Sequence, residues 1–151
     1  MERIWIYQAD RQVTAAEEIY ILEKLEEFTS QWKAHGKSLA AKAEIRYSRF
    51  VIIMVDDSVA PPTGCSIDKS VHLLKEIERE LGISLFDRMQ IAYRDNEGIH
   101  AVPRAEFEKL LKQGDITEQT VVFNNLVSTY PELATQWEVP MKDSWHAQVF
   151  M

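Results

Sequence analysis

Phe50-Val51-Ile52-Ile53-Met54-Val55 is an unbroken apolar run dominated by β-branched residues. A strand covered on both faces reads this way, because neither face has to offer polar side chains to water. Asp56-Asp57-Ser58 follows at once, and then a loop with Pro61, Pro62, Thr63 and Gly64. On the other side, Ile45 and Tyr47 alternate with charged residues, as in a half-exposed strand. A turn at Ser48 and Arg49 between the two segments makes them a hairpin. Residues 50–55 are therefore the expected centre of a sheet, and the other elements are read outward from them.

Upstream, Arg3 to Tyr7 carries Ile4, Trp5 and Ile6 and predicts a first strand. Thr14 stands three residues before Glu17, a capping-box spacing that opens a helix. Ile21, Leu25, Phe28 and Trp32 lie on one stripe of that helix, and Gly36 is its expected terminator. Downstream, a second helix is expected from Cys65 or Ser66. Ile67, Val71, Leu74 and Leu81 lie on one face, Ile77 beside it, and Gly82 is the stop. Met89 to Tyr93 predicts a fourth strand, Asp95-Asn96-Glu97-Gly98 a hairpin turn, and Ile99 to Val102 the returning strand. Pro103 marks a third helix start, with Phe107, Leu110 and Leu111 inside and Gly114 after it. Thr120 to Phe123 predicts a last strand. The tail from Asn124 reads as irregular, anchored by Trp137, Trp145 and Phe150.

This order predicts the α+β class: a ferredoxin-like βαββαβ first half, then a ββαβ segment and a docked irregular C-terminal tail. Residues 1–151 are expected to form a single compact α+β domain, with a natural subdivision into 1–87 and 88–151.

Composition narrows the function classes. Hydrophobic residues make up 46% and charged residues 27%, enough to build a core. The formal net charge is −7, and Lys and Arg form no run, so neither nucleic acid nor a membrane surface is an expected partner. Arg46, Arg49 and Arg94 near strands, with Trp5, Tyr7, Tyr47 and Tyr93, hint at base stacking. Acidity and pairing with Glu44 or Asp95 argue for the plainer account. One cysteine, Cys65, precludes both an internal disulfide and a dithiol redox motif. With no apolar stretch of about 20 residues and no signal-peptide pattern, the expected location is the cytoplasm.

The segments Ile6-Tyr7-Gln8-Ala9-Asp10, Thr63 to Ser70, Phe123-Asn124-Asn125 and Asp143-Ser144-Trp145-His146 resemble a group of short uncharacterised proteins from Bacteroidetes. The likeness covers nearly the whole chain. Members often carry the label "ABC transporter ATPase", which would imply nucleotide hydrolysis. A phosphate-binding loop needs glycines before Lys-Ser so that backbone N–H groups can wrap phosphates. Here Thr63 and Asp68 stand at the two glycine positions before Lys69-Ser70. ATPase activity is thus the disfavoured reading. Gly98 to Val122 also resembles, more faintly, a peptide-binding GYF-type module.

The chemistry-bearing candidates gather around one loop. Cys65 opens a helix whose N-terminus favours a thiolate, and Lys69 lies one turn on. His72 or His146 would be its base in a small enzyme. Asp56, Asp57, Cys65, Ser66, Asp68 and Lys69 form the expected ligand-binding set, for a small molecule or protein whose identity the sequence leaves open. Asp56, Asp57, Asp68, His72 and His146 match no metal-ligand spacing, so no metal is expected, and no cofactor is indicated. The preferred expectation is a non-catalytic ligand-binding or protein-interaction domain; the alternative is the enzyme using Cys65 with a histidine.

Overall fold

The computed structural model describes residues 1–151, beginning with strand β1 (Glu2–Gln8). Helix α1 (Ala15–Gln31) opens with the capping box: Thr14 Oγ1 accepts from the Glu17 N–H at 3.1 Å, and Glu17 Oε1 accepts from the Thr14 N–H at 2.9 Å. The helix ends at Gln31, before Gly36. Trp32 turns to extended backbone and buries its indole, whose Nε1–H donates to the Ser66 carbonyl at 2.8 Å. Gly36 serves instead in the two-residue turn between β2 (Lys33–Ala34) and β3 (Lys37–Ser38), where His35 and Gly36 have φ of 51° and 77°. Hairpins favour such left-handed turns because they match the twist of the strands.

Strands β4 (Ala40–Arg46) and β5 (Phe50–Asp56) form the expected hairpin; its turn, Tyr47–Arg49, includes Ser48 and Arg49 and adds Tyr47, with φ of 58° and 52° at Tyr47 and Ser48. Two non-glycine residues in this region cost on the order of 1 kcal/mol each. Three hydrogen bonds hold them: Arg49 N–H to the Arg46 carbonyl (3.1 Å), Val13 N–H to the Ser48 carbonyl (2.8 Å), and Ser48 Oγ to Glu18 (3.2 Å). The sheet order is β1-β5-β4, all antiparallel, with β5 in the centre. Val51, Ile53 and Val55 join Ile21, Leu25, Leu74 and Ile77 in one core, while Ile52 and Met54 point to the opposite face.

Helix α2 (Gly64–Leu81) ends at Gly82, whose φ of 64° only glycine adopts cheaply. Its inward residues are Ser66, Ser70, Leu74 and Ile77, with Ile67 and Val71 half-buried. The serines tolerate burial because their hydroxyls bond to their own helix backbone: Ser66 Oγ to the Thr63 carbonyl (2.8 Å) and Ser70 Oγ to the Ile67 carbonyl (2.6 Å). The free edge of β1 is met by Ser128–Thr129. Arg3 bridges Thr129, and the Ile4 N–H donates to the Ser128 carbonyl at 2.9 Å. Met1–Phe86 and Ser128–Tyr130 together make one compact unit.

Asp87–Val127 and Pro131–Met151 make the second. It contains β6 (Gln90–Asp95), β7 (Gly98–Pro103), α3 (Arg104–Gln113) and β8 (Val121–Phe123). Then come α4 (Tyr130–Thr135, whose first residue belongs to the first unit), β9 (Glu138–Pro140), a 3-10 turn at Met141–Asp143 and α5 (His146–Phe150). Its sheet runs β7-β6-β8-β9. The segment expected as fourth strand of the first sheet, Met89–Tyr93, is β6, and it pairs with β7 and β8 instead. Nor is the tail irregular, since β9 pairs with β8. Ile91, Tyr93, Phe107, Ile116, Val122 and Met141 form the core. Trp137 is fully buried, its Nε1–H on Asn125 Oδ1 at 2.9 Å and its ring edge-on to Phe123. The class is α+β, with antiparallel sheets, and no helix is long and apolar enough to cross a membrane.

Candidate functional site

The residues singled out around the Pro-Pro-Thr-Gly loop have largely structural tasks. Asp56 leaves the end of β5 and accepts from the N–H and Oγ of Ser58, at 3.0 and 2.6 Å. These bonds hold its carboxyl below the ordinary aspartate range. Asp57 accepts from the Met1 amino group at 2.9 Å. Thr63 and Ser66 form a second capping box: the Ser66 N–H donates to Thr63 Oγ1 (3.2 Å) and the Thr63 N–H to Ser66 Oγ (2.7 Å). The box occupies one of the helix N–H groups that an anion would use. Ser66 is buried beneath it, whereas Cys65, Asp68, Lys69 and His72 are exposed.

Cys65 belongs to the first unit and His146 to the second. His146 is buried at 1% exposure, stacked on Trp145 at 3.8 Å and packed near Phe107, with Nδ1 on Ser144 Oγ at 2.7 Å. Burial lowers its pKa to about 4, so the ring is neutral at pH 7. In this setting the imidazole acts as a core residue that spends one nitrogen on its neighbour.

A His–carboxylate group occurs elsewhere, at the β6–β7 turn. Asp95, Glu97 and His100 bring donor atoms within 4.8 Å of one another. His100 Nε2 lies 2.8 Å from Asp95 Oδ1, which also accepts from the Glu97 N–H at 2.8 Å. These bonds pull the Asp95 carboxyl below its usual range. The arrangement is the internal bonding of a tight turn.

The face of the first sheet that bears Ile52 and Met54 carries, toward its β4 side, a depression that sequence reasoning did not single out. Its volume is about 180 Å³, and it is lined by Lys42, Ala43 and Glu44 of β4, Ile52 and Met54 of β5, and Tyr130. The register places Lys42 opposite Met54 and Glu44 opposite Ile52, so the strand alternation itself assembles the floor and rim. Tyr130 closes one wall, with the Lys42 ammonium 5.5 Å from its ring centre. The alternating Lys42-Ala43-Glu44-Ile45-Arg46 hinted at one polar face; nothing local to Tyr130 announces that it joins β4 and β5. A second depression of about 280 Å³ lies among Tyr20 and Lys24 of α1 and Leu73, Glu76, Ile77, Arg79 and Glu80 of α2.

Comparison of the chain with family models, with curated proteins and with solved structures finds no match.

Proposed function

We propose that this protein is a non-catalytic interaction domain that receives a single apolar side chain of a protein partner in the depression between β4 and Tyr130. The observation that carries the reading is the depression over Ile52 and Met54. Its apolar floor with a small charged and aromatic rim has the make-up of a binding site. Its size favours one class of ligand. At about 180 Å³ it is smaller than the ~300–1,000 Å³ of sites that enclose whole small molecules, and it suits one side chain presented by a larger partner. Tyr130 and Lys42 supply a rim of the amphipathic kind common at protein interfaces.

The test is selection of peptides from a displayed random library on the immobilised protein. Binders enriched in one bulky apolar residue are expected, with affinity falling about tenfold or more in Tyr130→Ala, which removes a wall. Binders indifferent to both Tyr130→Ala and Lys42→Ala, which strip the rim, would refute the site.

A further inference from the structure

Strand β4 is an edge strand, hydrogen-bonded to β5 on one side only. Every second backbone N–H and C=O along its seven residues points away from the sheet. The opposite edge, β1, is met by Ser128–Thr129. In the other sheet the edge strands are β9, three residues long and ending in Pro140, and β7, six residues long and ending in Pro103.

The side chains of β4 carry a pattern that decides what the edge accepts. Read antiparallel against itself about Ala43, the strand sets Lys42 opposite Glu44 and Glu44 opposite Lys42. It also sets Ala41 opposite Ile45, Ala40 opposite Arg46, and Ala43 opposite its own copy. The two faces match separately. Lys42 and Glu44 lie on the face of Ile52 and Met54, so the opposite charges meet there; Ala41, Ala43 and Ile45 lie on the face of the helix-side core. The alanines at 40, 41 and 43 leave room for close approach. A foreign strand carries this pattern only by chance, and a second copy carries it by construction. The Glu44–Arg46 contact at 3.4 Å is long and exposed enough to yield.

We propose that two copies of this chain pair antiparallel through β4 about a two-fold axis at Ala43, forming one six-stranded sheet. A two-fold axis of this kind stands perpendicular to the sheet, so both depressions open on the same face. The proposal does not depend on what those depressions bind.

Sedimentation equilibrium over micromolar to millimolar concentrations tests it, with circular dichroism confirming that each variant is folded. The wild-type chain is expected to dimerise. Lys42→Glu and Glu44→Lys each place like charges opposite one another twice, and each is expected to weaken self-association at least about tenfold. An equimolar mixture of the two single variants restores opposite charges and should associate, as should the double variant Lys42→Glu/Glu44→Lys. Ala43→Cys in a Cys65→Ser background, two substitutions outside the charge pairs, should form an intermolecular disulfide on mild oxidation, because the paired residues lie within bridging distance. A wild-type chain that is monomeric throughout overturns the proposal. So does a dimer indifferent to both charge reversals, which would place the interface on another face. Peptide binding to the depression, measured separately, distinguishes this failure from failure of the interaction reading.

Discussion

Ile53 and Trp137 are both fully buried, yet they reach that state by different routes. Ile53 belongs to β5 and is covered by Ile21, Leu25, Leu74 and Ile77 of the two helices that flank the β4–β5 hairpin in sequence. Trp137 is enclosed only when the chain after α4 returns to β8, where it meets Phe123 and Asn125 and its carbonyl accepts from the Asn124 N–H at 2.7 Å. The first unit is thus organised around a contiguous run, and the second around residues scattered over its length. The second should therefore depend far more on the end of the chain.

The largest effect expected from this contrast follows truncation before Thr135. That removes β9, Trp137, Met141 and His146, three of them fully or almost fully buried side chains. Losing one buried Trp alone costs about 3–5 kcal/mol, a large share of the 5–15 kcal/mol that typically holds a domain. Calorimetry should show the second unit no longer melting cooperatively, or aggregation on expression. A truncated chain that melts like the intact one would break the contrast.

A smaller effect sharpens it. His146 titrates near pH 6.5 when unfolded and at about 4 when folded. Between those values the unfolded state binds more protons. Its stabilising contribution is complete above pH 6.5 and declines as pH falls toward 4, by up to about 3 kcal/mol. Urea midpoints from pH 7 to 4.5 should fall, and fall less in His146→Gln. Identical pH profiles for the two proteins would mean that this imidazole is not buried neutral.

The smallest effects concern α2. Thr63→Ala removes a cap and should cost about 1 kcal/mol. Exposed Cys65→Ser should change stability by less than about 0.5 kcal/mol. Iodoacetamide should label Cys65 in the folded protein at neutral pH. A protected thiol would return Cys65 to the core and reopen the question of what it does there.

What could be read from the chain followed the same division. The β5 run, the Thr14–Glu17 box, the glycine stops at Gly82 and Gly114 and the turn before Gly98 each have a local cause, and each stands where its residues place it. Gly36 was read as the stop of α1, but the helix ends at Gln31, where Trp32 turns inward to Ser66, and Gly36 serves the β2–β3 turn. The inward face of α2 was misread because Ser66 and Ser70 are polar by type but satisfied by their own backbone. Strand β9 has three residues, one a proline, and exists only because β8 is there to pair with it. The candidate site divides likewise. Cys65 and its neighbours stood out by residue type, whereas Tyr130 meets β4 only through tertiary structure.

The closure of β1 by Ser128–Thr129 has a consequence for how the protein is made. At about 5–20 residues per second, the ribosome adds Ser128 roughly 4–14 seconds after β5, the strand that β1 pairs with, has been polymerised. During that interval the nascent first sheet has bare strand edges on both sides, β1 as well as β4. Every polysome therefore displays, for seconds at a time, chains whose β1 edge only their own later residues will cover.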